Sequence, residues 1–324
     1  EMTELFKGEY GIEGPEYVSL AEYISGLTPD TSKLSAPKVA IVYANGQVMD
    51  GSGTDDNIYG YTLSETLRKV AEDDDIKSVV VRVNSPGGSA IASELAWREM
   101  TLLQQVKPVV ISMGEMAASG GYYISAPADY IFSDKTTLTG SIGVFGMIPN
   151  IKNLLTYRLG ITIDNTYTSP AALIPSPFQP VTDIQRKNLN KSVDKVYETF
   201  TQHVAEGRNL DINDVLNIAE GRVWSGTMAK EIGLVDAIGG FNEAVGKAIE
   251  LADISSNYKI CEYVAPLTPF EEYLNSMSFA YTKSLGLDYN IYGDEMRDII
   301  SEIPMVFTYS GIQTRVVGDL KIEF

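Results

Sequence analysis

Val109-Val-Ile-Ser-Met-Gly-Glu-Met-Ala-Ala-Ser-Gly-Gly-Tyr-Tyr123 opens as an apolar strand, turns sharply through glycines and continues into a helix. Upstream, Val79-Val-Val-Arg-Val-Asn-Ser-Pro-Gly-Gly-Ser89 follows the same plan. Ser78–Val83 is almost wholly apolar, as expected of a strand whose sheet is covered by helices on both faces. Two such strand–glycine–helix junctions in succession set the fold class as α/β.

The surrounding pattern agrees. Val39–Tyr43 is a short β-branched run, and Thr62–Asp73 has Leu63, Leu67, Val70 and Ala71 on one side of a helix. Ser89–Val106 reads as a second helix, Pro108–Met113 as a strand, Gly120–Ser125 as a short helix and Tyr130–Ser133 as a strand. Helices are expected over Thr182–Glu206, Asp211–Glu220, Thr227–Ile232 and Asn242–Leu251. Alternating strands and helices imply right-handed crossovers and a mostly parallel sheet. Three parts are expected: a helical lead-in and linker over 1–37, a core domain over 38–252, and an extension over 253–324 ending in a strand near Thr314–Glu323. No internal repeat interrupts this order.

Composition excludes some classes. Of the 324 residues 44% are hydrophobic, enough for a sizeable core, and the net charge of −18 argues against a nucleic-acid partner. Cys261 is the only cysteine, so no intramolecular disulfide can form, and its strand-like setting suits a buried structural thiol. The apolar run Val109–Ala128 is broken by Gly114, Glu115, Gly120, Gly121 and Pro127 and does not read as a membrane span. The chain starts at Glu1 and is expected to be a piece of something longer.

The junctions carry the chemistry. Pro86, Gly87 and Gly88 form a turn able to aim backbone N–H groups outward at a helix N-terminus. It lacks a Walker lysine and GxGxxG spacing, so nucleotide phosphate is a weak reading beside an ordinary tight turn. Ser119 lies among Ala117, Ala118, Gly120 and Gly121, small neighbours that let a substrate backbone approach its hydroxyl. The Gly120 N–H could then stabilise an oxyanion, the logic of a nucleophile elbow without its GxSxG spacing. On this motif alone, a helix N-cap serine is the simpler reading. A nucleophilic hydroxyl needs a base. His203, the only histidine, lies in a long helix at what reads as a surface or groove position. A lysine is therefore the leading candidate, with a pKa brought from about 10.4 to near neutrality by burial.

Asn84-Ser-Pro-Gly-Gly-Ser89, Met113-Gly-Glu-Met-Ala-Ala-Ser-Gly-Gly-Tyr122 and Thr137-Leu-Thr-Gly-Ser-Ile-Gly143 resemble the three signature segments of the signal peptide peptidase A (protease IV) family. Val223-Trp-Ser-Gly-Thr-Met-Ala-Lys-Glu-Ile-Gly-Leu-Val-Asp236 is similar to a later structural motif of that family. The resemblance spans about residues 38–252. It implies a crotonase/Clp-protease-like core and a serine peptidase that uses a Ser–Lys dyad on hydrophobic peptides such as released signal peptides. It also implies no cofactor and no metal, a homo-oligomer (a tetramer favoured), and a bacterial membrane or envelope location with the catalytic domain outside the cytoplasm. Membrane association would come through an N-terminal segment absent from this chain. By position, Ser119 matches the nucleophile, Gly88 and Gly120 the oxyanion-hole donors, and Ser141 the serine that orients the lysine.

One departure stands out. Where single-domain members carry the lysine, before Ser176-Pro-Phe178, this chain has Thr166-Tyr-Thr-Ser-Pro-Ala-Ala-Leu-Ile-Pro175 without one. The chain thus resembles the serine-bearing second half of the double-length members, and the base is expected to lie outside it. Lys135 is the nearest lysine to the signature segments and reads as a solvated loop residue. The alternatives are a crotonase-type acyl-CoA enzyme, disfavoured by the lack of carboxylates in Ala117–Gly121, and a catalytically lapsed assembly half, disfavoured by intact Ser119 and Ser141.

Overall fold

The structure is a computed structural model that describes residues 36–53, 56–164, 168, 175–254, 257–263 and the backbone of 312–315. Two units divide the chain, residues 1–36 and 37–324. Most of the lead-in expected over 1–37 and most of the extension over 253–324 fall outside the described residues.

In chain order the strands are β1 (Lys38–Asn45), β2 (Val48–Met49), β3 (Ile58–Tyr59), β4 (Ile76–Ser85), β5 (Gly87–Ser89), β6 (Val109–Ala118), β7 (Tyr130–Ser133), β8 (Leu138–Gly140), β9 (Phe145–Gly146), β10 (Val223–Ser225), β11 (Ala237–Ile238), β12 (Lys259–Glu262) and β13 (Ile312–Arg315). The helices are α1 (Gly60–Glu72), α2 (Ala90–Gln104), α3 (Gly120–Ser125), α4 (Asp183–Arg208), α5 (Ile212–Ile218), α6 (Gly226–Glu231) and α7 (Phe241–Leu251), with a π-turn at Leu154–Arg158.

The main sheet runs β10-β8-β6-β4-β1-β12, with β7 beside β6 and β11 beside β7. All its pairings are parallel except β10 with β8. Side-chain alternation along β1 explains why both faces are buried: Ala40, Val42 and Ala44 enter one core and Val39 and Ile41 the other. The first core also takes Leu67 of α1, Ala96 and Met100 of α2 and Phe200 and Val204 of α4. The second packs Ala244, Val245 and Ala248 of α7 on Val80, Val110 and Phe132. This is the α/β architecture that the strand–helix alternation predicts, with mostly parallel strands between helices.

A smaller sheet, β3-β2-β5-β13-β9, was not legible in the sequence because its strands are two to four residues long. Its β13 pairs antiparallel with both β5 and β9. Strand β6 is also longer than predicted, and its two halves pair differently: Val110–Ser112 with β7, Met116–Ala118 with β8. Between them the register to β4 slips, from Val83↔Met113 to Ser85↔Ala117. The extra residues form a bulge held by Asn84, whose Oδ1 accepts the Met116 N–H at 3.1 Å. Thr137 and Thr139 lock the same segment by donating their hydroxyls to the carbonyls of Gly114 and Ala117, each at 2.7 Å.

Candidate active site

The two junctions lie at the carboxyl ends of adjacent parallel strands, β4 and β6, where open α/β sheets gather ligand sites. Their backbones are in close contact. A Cβ built on Gly121 would meet the Ser85 carbonyl oxygen at 2.9 Å, so only glycine lets α3 settle this near the end of β4. Gly88 is equally constrained, since its Cβ would fall 2.0 Å from the Val48 carbonyl oxygen. Strand β5, with Gly88, and helix α3, which starts at Gly120, approach within 8 Å, Cα to Cα.

Ser119 links β6 to α3 with φ 52° and ψ −115°. A residue with a Cβ avoids this region, at a cost of about 1–3 kcal/mol, and holds it only when neighbours over-determine it. Here the Ser119 N–H donates to the Gly140 carbonyl at 2.8 Å and the Ser119 carbonyl accepts the Tyr123 N–H at 2.8 Å. Tyr122 anchors the helix below by donating its buried hydroxyl to the Leu234 carbonyl at 2.9 Å. Burial pushes the Tyr122 phenol pKa well above its ordinary value, so it stays a donor.

The N-cap reading of Ser119 can now be decided. Ser89 behaves as a cap, accepting the Ala92 N–H at 3.3 Å. Ser119 makes no such bond: its hydroxyl is fully buried and has no hydrogen-bond partner among the described residues. An unpartnered buried hydroxyl on a strained turn is expensive for a structural residue. As the first residue of α3, Gly120 has an N–H with no intrahelical acceptor, beside that hydroxyl.

Ser141 follows Gly140, the residue that receives the Ser119 N–H, and is buried. It too has a positive φ, 50°, with its N–H donated to the Arg222 carbonyl at 2.8 Å. The β6–β8 pairing Ala118↔Gly140 therefore carries both serines to one place.

No base joins them among the described residues. Lys135 is exposed, its carbonyl accepting the Thr227 N–H and hydroxyl at 3.3 Å each. Lys107 is buried, and desolvation lowers its pKa, but its Nζ is spent on the carbonyls of Val70 and Asp73. It also precedes β6 while Ser119 follows it, about 30 Å away along ten residues of strand. Of the lysine-free stretch 166–175, only Thr168 and Pro175 are described. Cys261 is half-buried on the edge strand β12 with its thiol pKa raised by burial, a poor nucleophile. No group of three or more His, Cys, Asp or Glu among the described residues could hold a metal, and no described helix is long and apolar enough to cross a membrane.

His203 corrects the sequence reading. It is mostly buried, stacked on Trp97 with ring centroids 3.4 Å apart, and its Nε2 lies 3.2 Å from Glu94 Oε2. The same carboxylate accepts the Tyr123 hydroxyl. This cluster braces α3 from α2 and α4. The signal for it, Glu94 and Trp97 three apart on one helical face, is readable in the sequence only once their partners are known.

Residues 101–255 match the model of peptidase family S49. Protease 4 of Haemophilus influenzae is 41% identical over 238 residues, covering 73% of this chain and 38% of that protein. The serine protease SPPA of Arabidopsis thaliana chloroplasts is 30% identical across 98% of this chain and 47% of its own length. A candidate protease from Methanocaldococcus jannaschii is 38% identical, over 70% of this chain and 74% of that protein. Among solved structures, a ClpP1 variant from Listeria monocytogenes aligns at 15% identity and a TM-score of 0.42, over 63% of this chain and 94% of that one. The chain spans well under half the length of the protease 4 relative. Matching signature segments, gathered at one sheet edge around a strained serine, and these relatives agree: the chain belongs to peptidase family S49, the family of signal peptide peptidase A and protease 4.

Proposed function

We propose that this chain carries the nucleophile of a Ser–Lys peptidase, with Ser119 attacking the scissile carbonyl. The observation that carries the reading is the buried, unpartnered hydroxyl of Ser119 on a turn with φ 52° that makes no cap bond. Its proton passes to a neutral lysine amine as the C–O bond forms. The N–H groups of Gly88 and Gly120 receive the oxyanion, and Ser141 orients the amine. The lysine then returns the proton to the leaving amine, and water resolves the acyl-enzyme by the same route. The lysine comes from an upstream half outside these residues. The substrates are hydrophobic peptides bound as extended strands, released signal peptides among them, for which the small neighbours Ala117, Ala118, Gly120 and Gly121 leave room. Assembly as a homo-oligomer, a tetramer favoured, and attachment to a bacterial envelope membrane through a preceding segment complete the proposal.

A fluorophosphonate probe tests it. The full-length protein should label at Ser119 and lose labelling and peptide hydrolysis in Ser119→Ala. These residues alone should label slower by about 10²–10⁴, the usual value of a general base. Equal labelling of the fragment and the full-length protein would place the base within this chain.

A further inference from the structure

One carboxylate oxygen joins three helices. Glu94 Oε2, on α2, accepts the Tyr123 hydroxyl of α3 and lies 3.2 Å from His203 Nε2 of α4. A carboxylate can only accept, so both partners donate to it. Burial, together with the bond to Glu94, keeps the Tyr123 phenol pKa well above its ordinary value, and the hydroxyl stays a donor. The Tyr123 ring is held as well, with its centroid 4.5 Å from that of Phe200 and 5.5 Å from that of His203, edge-on to the latter.

Tyr123 is also the residue whose N–H holds the Ser119 carbonyl, at 2.8 Å. That bond closes the first turn of α3, which has six residues and no side-chain cap. A helix so short does not hold itself, and its position is set by what its side chains touch. The cluster is costly for a mere brace. The buried Nδ1 of His203 and Nε1 of Trp97 have no hydrogen-bond partner among the described residues, and apolar side chains of similar shape would pack there without that cost.

We infer that Glu94 and His203 are positioning residues for the nucleophile turn. Through the Tyr123 hydroxyl they fix the residue whose N–H grips the Ser119 carbonyl, and so set where the Ser119 hydroxyl and the Gly120 N–H point. The inference rests on reading Ser119 as the nucleophile.

Peptide hydrolysis by the full-length protein and amide exchange at Tyr123 test it. Tyr123→Phe removes only the hydroxyl and should lower kcat by about 10–10², with KM nearly unchanged, because a misplaced turn harms the chemistry and spares binding. Glu94→Leu should act alike, and Glu94→Gln, which keeps an acceptor for the hydroxyl, should recover most of the loss. His203→Phe keeps the stack on Trp97, loses the bond to Glu94 and should change kcat in the same direction. Tyr123→Phe combined with Glu94→Leu should be no slower than Glu94→Leu alone, since both cut one link. In each slow variant the Tyr123 N–H should exchange faster, while Val79–Val83 stays protected and reports an intact fold. Unchanged kcat in Tyr123→Phe or His203→Phe, additive losses in the double variant, or a slow variant with unaltered Tyr123 exchange overturns the inference. Hydrolysis that survives Ser119→Ala would instead overturn the nucleophile reading beneath it.

Discussion

The Ser119 N–H donates to the Gly140 carbonyl at 2.8 Å, and this bond joins the turn that holds Ser119 to the one that holds Ser141. Both serines take a positive φ, 52° and 50°. One main-chain bond thus ties together two turns that each place a serine at positive φ.

Strain at Ser119 should be measurable as stability. Ser119→Gly removes the Cβ that disfavours φ 52° and should stabilise the fold by about 1 kcal/mol, raising Tm by about 2–4 °C, while abolishing activity. Calorimetry on the full chain checks it. A fall in Tm would mean that the serine is structurally required.

Ser141→Ala should lower kcat of the full-length protein by about tenfold or more and leave KM nearly unchanged, because a mispositioned amine harms proton transfer and spares binding. Steady-state kinetics on a peptide substrate, with Tm as a control for folding, decides this.

Gly88→Ala forces a Cβ to 2.0 Å from the Val48 carbonyl oxygen, a backbone atom that cannot step aside. A loss of about 2 kcal/mol or more is expected, together with loss of activity. Gly246→Ala is the contrast: it lies within α7, and its Cβ would meet nothing within 4 Å. That change should stabilise by up to about 1 kcal/mol. Urea denaturation of the two variants should move in opposite directions.

Glu94 links pH to stability. The hydrogen bond from His203 holds its carboxyl below the ordinary 4.5, opposed by burial and helped by the Tyr123 hydroxyl. A depressed carboxyl pKa stabilises the fold above the unfolded value, and that contribution fades as pH falls through the folded one. Glu94→Gln should therefore shrink the acid-side slope of stability against pH by at most one proton, below about pH 4.5. Urea midpoints from pH 3 to 7 would show it, and an unchanged slope would remove Glu94 from the account.

The sequence by itself determined the alternation of strands and helices, because the apolar runs of β1, β4 and β6 and the one-sided apolar face of α1 are set by which residues must be buried. Helix α3 and strand β7 fall at the predicted residues. The strand expected at Thr314–Glu323 is described as Ile312–Arg315, and the residues after it lie outside the described ones. Ser119, Gly88, Gly120 and Ser141 were legible as motif residues, though the Ser119 motif alone favoured a cap and only the family resemblance raised it to a nucleophile. Tertiary structure shows that the Ser119 hydroxyl makes no cap bond and that its positive-φ turn is tied to the Gly140 carbonyl, later in the chain. It also placed His203, expected at a surface or groove position, in a stack with Trp97, and brought residues 312–315 between β5 and β9. Strands this short have no periodicity of their own, and β13 pairs with partners far away in the chain, Gln313 with Ser89 and with Phe145, which local pattern cannot encode.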